Sequence, residues 1–284
     1  MAAPYVSAII PVYNQERYLG SAIDSVLGQS FRDTEVLVVD DGSTDRTPEI
    51  IAAYGSRVRR FRKPNGGGAS ALNLGIREAR GTWIAWLSSD DLWEPTKLER
   101  QVAAVRSQPD AAFSYTDAYV IDSDGRIVER QYLPNPKGRR ARMLLLARGC
   151  FINGIGVLIR KDVFEAVGLF DEADRLTYDY DLWFRIAPRY EFLHVPEPLV
   201  RYRVHPGQAS KNLAAMERSR KRVISRALRR YGSVYGTLAL ALRLRDALVD
   251  LPWHVSPRGR RATVWSRVMA AGDSLKALVN PGSP

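Results

Sequence analysis

Length and composition describe a globular protein with room for one large domain and an appendage. The chain has 284 residues, 45% of them hydrophobic, and this composition excludes a disordered polymer. Its one cysteine, Cys150, excludes an intramolecular disulfide framework and a clustered thiolate metal site. The net charge of +11 lies wholly in residues 211–284, which hold 15 Lys and Arg and 4 Asp and Glu. The neutral residues 1–210 argue against a dedicated nucleic-acid-binding protein.

Residues 6 to 87 alternate between strand patterns and helix patterns. Short apolar runs indicate buried strands, and apolar residues at helical spacing lie between them. Such alternation predicts a parallel, doubly wound sheet with both faces covered. The predicted strands are 6–12, 35–39, 58–62 and 83–87, and the predicted helices are 17–29, 47–54 and 69–79.

The last of these strands, 83–87, ends on the polar stretch SSDD at residues 88–91. In open α/β sheets, ligands bind in the crevice beyond the carboxyl ends of the strands. Carboxylates at that edge suit Mg²⁺ or Mn²⁺, which favour oxygen ligands and often bridge to substrate phosphates. The alternative is that Asp90 or Asp91 caps a helix beginning near Pro95.

Seven short motifs follow one another between residues 5 and 210. They are PVYN (11–14), VVDDGSTD (38–45), NGG with Asn73 and Gly75 (65–75), LSSDDLW (87–93), GLFDE (168–172), DYDLWFR (179–185) and YRVHP (202–206). In this order and spacing they resemble the family 2 inverting glycosyltransferases of the GT-A fold. The resemblance implies an α/β domain over residues 1–210, built on a mostly parallel, doubly wound sheet that binds a nucleotide sugar.

The resemblance also implies where the nucleotide would bind. It implies that the ring of Tyr13 stacks on the base, that Asp41 accepts a hydrogen bond from a pyrimidine N–H, and that Asp40 assists with the base or the ribose. For Tyr13 alone, an aromatic that covers the sheet edge is the alternative. The full set of implied nucleotide-binding residues is Pro11, Tyr13, Asp40, Asp41, Ser88 and Ser89.

The resemblance implies a metal site at Asp90 and His205, holding Mn²⁺ or Mg²⁺. The family's Asp-x-Asp motif falls on residues 88–90, where Ser88 replaces the first acid and supplies no charge. Its hydroxyl could still contact the ribose or a metal-bound water. His205 matches the family's C-terminal histidine, and neutral imidazole is a common metal ligand. A lone histidine in a surface loop is the alternative for His205.

An inverting displacement needs a general base opposite the departing nucleotide, and the resemblance implies that Asp179 is this base. Tyr178 stands where the family has an acidic neighbour that influences the pKa of the base. Asp181 is the competing candidate. On a helix over residues 179–189 the two carboxylates would lie about 200° apart, so they could not both face one substrate.

Two glycine-containing loops and one hairpin complete the predicted domain. The run 66–68 has neither the Rossmann nor the Walker spacing, yet glycines before a helix let backbone N–H groups approach an anion or a sugar. Residues 153–156 could approach the donor or acceptor in the same way, or form a plain turn. Residues 112–115 are strand-like, and 118–121 with 126–129 predict a hairpin that helps to shape the acceptor site.

Residues 211–284 form a predicted basic, helical C-terminal extension. Apolar residues recur at helical spacing from Val223 to Leu242, with arginines on the more polar part. Such a helix could lie on an anionic membrane, or it could pack on the domain with a solvated basic face. Arg243, Arg245 and Asp246 interrupt the apolar run before it could span a bilayer.

The sequence therefore predicts a metal-dependent inverting glycosyltransferase of polysaccharide or cell-envelope biosynthesis. The expected donor is a UDP-sugar or dTDP-sugar, and the expected acceptor is a hydroxyl of a glycan or lipid-linked saccharide. The expected location is the cytoplasm, with the basic segment at the inner face of the cell membrane as one arrangement. A sugar nucleotidyltransferase, a non-catalytic nucleotide-sugar-binding module and a membrane-interaction protein are the alternatives, and nucleic acid is not an expected partner.

Overall fold

The computed structural model describes residues 3–232, which form one sheet and eight α-helices. The strands are β1 (Val6–Val12), β2 (Thr34–Asp40), β3 (Arg59–Arg62), β4 (Trp83–Trp86), β5 (Leu92–Trp93), β6 (Phe113–Ile121), β7 (Ile127–Gln131), β8 (Leu158–Arg160) and β9 (Leu193–Arg203). The helices are α1 (Leu19–Leu27), α2 (Thr47–Ala53), α3 (Gly68–Glu78), α4 (Lys97–Ser107), α5 (Gly138–Arg148), α6 (Asp162–Val167), α7 (Tyr178–Ile186) and α8 (Leu213–Tyr231).

The first four long strands confirm the predicted parallel sheet. β1 pairs in parallel with both β2 and β4, and β2 pairs in parallel with β3. Side chains alternate between two apolar cores: Ile9 contributes to one face, and its neighbours Ala8 and Ile10 contribute to the other. Helix α3 covers the first face and helices α1 and α4 cover the second, so the sheet is doubly wound as predicted.

The second half of the sheet is mixed. Its strand order is β3-β2-β1-β4-β8-β6-β9-β5, with β7 paired to β6. β8 is antiparallel to β4 and β6, whereas β9 runs parallel to β6. Of the two strand-like segments, residues 113–115 and 118–121 belong to one strand, β6, and the predicted hairpin is confirmed as β6 and β7.

Helix α8 packs on the domain through its apolar side. Val223, Ile224 and Ala227 are buried in the same core as residues of α7. The opposite side is exposed and basic. Residues 233–242 of the predicted helical pattern lie outside the described residues, and the boundary after residue 210 stays a prediction. No helix within residues 3–232 combines the length and apolar character needed to cross a bilayer.

Candidate active site

The carboxyl ends of β1, β2 and β4 bring three of the motifs to one edge of the sheet. Tyr13 follows β1, Asp40 and Asp41 lie at the end of β2, and the SSDD stretch follows β4. The parallel pairing of these strands explains this arrangement, because parallel strands end at the same edge.

Tyr13 lies just beyond β1 with 47% of its surface exposed. The turn that follows is tied to the Gly42–Asp45 segment: the N–H of Asn14 donates to Ser43 Oγ at 3.0 Å, and the N–H of Thr44 donates to Asn14 Oδ1 at 2.8 Å. Pro11 lies within β1, beyond the last residue pair that joins β1 to β4. Its missing N–H therefore costs no hydrogen bond to β4. Tyr13 thus presents an exposed ring on a fixed backbone.

Asp41 is bonded within the protein. Its carboxylate accepts from Lys63 Nζ at 2.7 Å, from the N–H of Gly66 at 3.0 Å and from the N–H of Gly67 at 2.6 Å, and only 2% of the residue is exposed. The predicted glycine loop is therefore held against the end of β2. Sequence reasoning missed Lys63, although a basic residue three positions before the glycine run was the available signal. Base recognition by Asp41 stays a prediction.

One carboxylate oxygen of Asp40 lacks a hydrogen bond, whereas both oxygens of Asp41 accept hydrogen bonds. Its Oδ1 accepts from the N–H of Ser43 at 2.8 Å. Its Oδ2 is buried and has no hydrogen-bond partner among the described residues, although Arg62 Nε lies 3.3 Å away as an ion pair. At this end of the sheet, the carboxylate oxygen without a hydrogen bond therefore belongs to Asp40.

Asp90 and His205 meet at the end of β4. Asp90 Oδ2 lies 3.0 Å from His205 Nε2, and the imidazole is buried against the ring of Tyr18 with centroids 5.0 Å apart. His205 reaches this position because β9 ends beside the SSDD turn. There the N–H of Arg203 donates to Asp91 Oδ1 at 2.6 Å, and Arg203 Nε donates to the Asp90 carbonyl at 2.7 Å.

The 3.0 Å between Asp90 Oδ2 and His205 Nε2 is an ordinary hydrogen-bond distance. It is also about the separation of neighbouring ligand atoms around an octahedral cation with metal–ligand distances of about 2.1 Å, so the two atoms could bind such a cation together. Among residues 3–232, no three His, Cys, Asp or Glu side chains form a metal-binding cluster. A cation bound by this pair would take its remaining ligands from phosphate and water.

The other residues of the SSDD turn are placed differently. Asp91 is buried, and burial together with the neighbouring charge of Asp90 raises the pKa of Asp91 well above its usual range. The hydrogen bond that Asp91 accepts from the N–H of Arg203 joins the turn to the end of β9. Ser88 is partly exposed beside Asp91, and Ser89 is buried.

Asp179 is the second residue of α7. Burial raises its pKa to about 6, and the charge of Asp174 contributes in the same direction. A carboxyl with this pKa is ionised at neutral pH yet basic enough to accept a proton. The neighbouring Tyr178 packs edge-on against Phe170, and its hydroxyl adjoins Gly68, the first residue of α3. Burial, and then the charges of Asp179, Asp90 and Asp174, raise the pKa of Tyr178, so Asp90 and Asp179 both act on this phenol.

Asp181 is engaged elsewhere. It accepts from Arg185 Nε at 2.9 Å and from Arg226 Nη1 at 3.1 Å, and it is buried. The sequence expectation that it cannot share a substrate with Asp179 accords with these contacts, because both of its oxygens face arginines.

The loop at residues 153–156 forms a tight turn. Asn153 Oδ1 accepts from the N–H of Ile155 at 3.3 Å. A Cβ on Gly154 would lie 2.7 Å from the ring of Trp86, so only glycine permits this contact. The loop therefore lies directly against β4.

Comparisons with known proteins agree with this architecture. Residues 7–168 match the family described as Glycosyl transferase family 2. An uncharacterized glycosyltransferase of Rickettsia typhi is 37% identical over 214 residues, covering 73% of this chain and 66% of the relative. The first five relatives, all from Rickettsia, are longer, and the chain spans 31% to 66% of their length.

Solved structures share the fold. TarS of S. aureus, in complex with UDP-GlcNAc, matches with a TM-score of 0.61 and 18% identity over 81% of this chain and 73% of that one. The mannosyltransferase PcManGT of Pyrobaculum calidifontis, in complex with GDP-Man and Mn²⁺, matches with a TM-score of 0.56 and 18% identity over 99% of this chain and 82% of that one. From its own motifs, its sheet and these matches, the chain belongs to glycosyltransferase family 2 and has the GT-A fold.

Proposed function

We propose that this protein is a metal-dependent inverting glycosyltransferase that moves a sugar from a nucleoside diphosphate to a hydroxyl acceptor. The observation that carries the proposal is the Asp90–His205 pair, 3.0 Å apart at the sheet edge that also carries Tyr13. Asp179, whose pKa of about 6 suits a general base, acts on the same phenol as Asp90. Family membership supports the reaction class.

The donor binds at the carboxyl ends of β1 and β2. The exposed ring of Tyr13 stacks on the base, and Asp40, whose buried Oδ2 has no hydrogen-bond partner among the described residues, binds the base or ribose. Pro11, Asp41, Ser88 and Ser89 complete the nucleotide site by shaping its walls. UDP and dTDP are the nucleotides we propose, and the TarS complex with UDP-GlcNAc supports a uridine donor.

Asp90 and His205 would hold the cation. Bound there, Mn²⁺ or Mg²⁺ would supply positive charge beside the pyrophosphate. An imidazole ligand favours Mn²⁺, since Mg²⁺ prefers oxygen ligands, and the PcManGT complex contains Mn²⁺. Arg203 and Asp91 fix the two ligands by joining the end of β9 to the turn.

Asp179 removes the acceptor proton. The acceptor hydroxyl attacks the anomeric carbon on the face opposite the nucleotide, and the ionised Asp179 takes its proton. The new bond to the acceptor oxygen forms as the bond from the anomeric carbon to the nucleoside diphosphate breaks, and attack on the opposite face inverts the configuration. Because the base must be ionised, turnover falls below about pH 6. A glycan or lipid-linked saccharide of the cell envelope is the acceptor class we propose.

The exposed side of α8 supports a membrane-facing arrangement at the inner face of the cell membrane. Arg218, Lys221, Arg222 and Arg229 are exposed, opposite the buried side of the helix. Each cation near an anionic bilayer contributes about 1 kcal/mol. This surface would hold the enzyme beside a lipid-linked acceptor.

A donor panel tests the function. UDP-sugars, dTDP-sugars and GDP-sugars are incubated with Mn²⁺ and glycan acceptors, and free nucleoside diphosphate is measured. We expect nucleoside diphosphate and an inverted glycoside from one donor class, and loss of both with EDTA. Pyrophosphate release from a nucleoside triphosphate and a sugar phosphate would instead identify a sugar nucleotidyltransferase. Donor binding without turnover across the panel would indicate a binding module.

A further inference from the structure

A buried polar cluster joins α8 to the start of α7. Asp174, Thr177 and Ser219 are 3%, 5% and 0% exposed. Ser219 Oγ donates to Asp174 Oδ1 at 2.6 Å, Thr177 Oγ1 donates to Asp174 Oδ2 at 2.8 Å, and the two hydroxyl oxygens lie 2.7 Å apart. Two hydroxyl protons thus serve three short contacts, so the cluster is a shared network rather than a set of independent pairs.

The cluster fixes the first turn of α7. Asp174 Oδ1 also accepts from the N–H groups of Leu176 and Thr177, both at 3.0 Å. The Thr177 carbonyl accepts the first helical hydrogen bond, from the N–H of Asp181 at 3.2 Å. Asp179 lies two residues beyond Thr177 in the first turn of α7, and its Oδ1 accepts from the N–H of Tyr180 at 2.7 Å, so the placement of its carboxylate follows the placement of this turn.

Helix α8 contributes Ser219 to the cluster, and Ser219 lies 42 residues beyond Thr177 in the chain. Val223 and Ala227 continue the buried side of the helix beyond Ser219 and fix its position in the core. Arg226 adds a second tether, because its Nη1 contacts Asp171 Oδ2 at 2.5 Å and Asp181 Oδ1 at 3.1 Å. The N-terminal end of α7 and the loop before it are therefore held from α8 at two places.

The cluster also sets the charge beside the base. Burial raises the pKa of Asp174, but hydrogen bonds from Ser219, the backbone and Thr177 outweigh it and lower the pKa, so the group is ionised at neutral pH. The negative charge of Asp174 raises the pKa of Asp179. The charge of Asp179 in turn raises the pKa of Tyr178 and of Cys150.

We propose that Ser219 and Asp174 are positioning residues for Asp179: through Thr177 they orient the carboxylate toward the acceptor, and α8 thereby completes the catalytic apparatus. The inference rests on the proposed role of Asp179 as the general base. It assigns a role in catalysis to α8, which lies beyond the family match that ends at residue 168.

Two matched pairs of variants test the positioning role. Ser219→Ala removes the buried hydroxyl, and Ser225→Ala removes an exposed hydroxyl from the opposite side of α8. Thr177→Val removes a hydroxyl at nearly constant shape, and Thr177→Ser retains it. We expect Ser219→Ala and Thr177→Val to lower kcat by about tenfold or more, since a small misplacement of a catalytic group is costly. Donor Kd should stay within about twofold for both, while Ser225→Ala and Thr177→Ser retain wild-type kcat.

The pH profile of kcat/KM separates positioning from general destabilisation. In Asp174→Asn the neighbouring charge is gone, so the pKa of Asp179 falls and the acid limb of the profile shifts to lower pH. A folded Ser219→Ala with wild-type kcat, or equal losses in Thr177→Ser and Thr177→Val, would overturn the proposal. Asp179→Asn is assayed alongside: if it remains fully active, the proposed general base is wrong, whereas an inactive Asp179→Asn beside a fully active Ser219→Ala refutes the positioning role alone.

Discussion

Replacing Asp179 with Asn should make the protein less active and more stable, and the gain in stability should depend on pH. Burial holds the pKa of Asp179 at about 6 against an ordinary value of 3.8. The folded state therefore binds more protons than the unfolded chain between these values, and the free energy of unfolding falls as pH rises through this window. Above about pH 7 the full gap corresponds to about 3 kcal/mol, because each pKa unit is worth about 1.4 kcal/mol.

Asn carries no titrating proton, so Asp179→Asn lacks this penalty at every pH. Relative to wild type, the variant should gain about 3 kcal/mol at pH 8 but only about half of that at pH 5. An effect of shape would be the same at both pH values, so it cancels from the difference between them. Turnover should fall by about 10²–10⁴, the usual contribution of a general base.

Urea unfolding of wild type and variant at pH 5 and pH 8 measures both free energies, and a single-turnover assay at pH 8 measures the chemical step. Asp181→Asn is the control, because it should lower stability where Asp179→Asn raises it. It removes a buried carboxylate that pairs with Arg185 and Arg226, so the free energy of unfolding should fall by an amount on the order of 3 kcal/mol. A stability difference between Asp179→Asn and wild type that is the same at both pH values would refute the raised pKa, and normal turnover would refute the role as base.

Three further predictions concern the metal, the glycine loop and α8. Asp90→Asn should abolish most turnover and the effect of Mn²⁺ on donor affinity without loss of fold; calorimetry with unchanged Mn²⁺ dependence would contradict the site. Lys63→Met removes one of the hydrogen bonds to the buried Asp41 carboxylate, so the affinity for the nucleotide sugar should fall and the free energy of unfolding should decrease by about 1–3 kcal/mol. An unchanged affinity for the nucleotide sugar in calorimetry would show that the loop does not need this contact. Neutralising the exposed cations of α8 should reduce the free energy of binding to phosphatidylglycerol vesicles, measured by co-sedimentation at low salt, by up to about 4 kcal/mol and leave transfer to a soluble acceptor unchanged. Equal co-sedimentation of variant and wild type would contradict the membrane-facing arrangement. The cations to change are Arg218, Lys221, Arg222 and Arg229.

The first half of the fold follows from local patterns. Strands such as β1 and β4 are apolar runs that end on polar motifs, and parallel pairing alone brings Tyr13, Asp40 and Asp90 to one edge. Periodicity was enough there because each strand is followed by its own helix. β9 was not predicted, because Pro196 and Pro198 argue against a strand. Its pairing with β6 shifts register at this point, and the shift accommodates both prolines.

The parts of the site that sequence reasoning missed are contacts between distant segments. The bond of Asp41 to Lys63 crosses 22 residues, and that of Ser219 to Asp174 crosses 45. Neither leaves a periodic trace, because a single lysine or serine carries no pattern. The meeting of Asp90 and His205 came from the family resemblance, and only the path of β9 supplies its physical cause.

The pairing of Asp90 with His205 bears on how this enzyme can be recombined. The two proposed metal ligands are 115 residues apart and follow strands from the parallel and the mixed halves of the sheet. A hybrid that takes its donor-binding half from one relative and its acceptor-binding half from another would inherit one ligand from each parent. Crossovers between residues 90 and 205 therefore succeed only when both parents place these atoms at the same separation, and donor specificity is best exchanged by grafting loops into an intact chain.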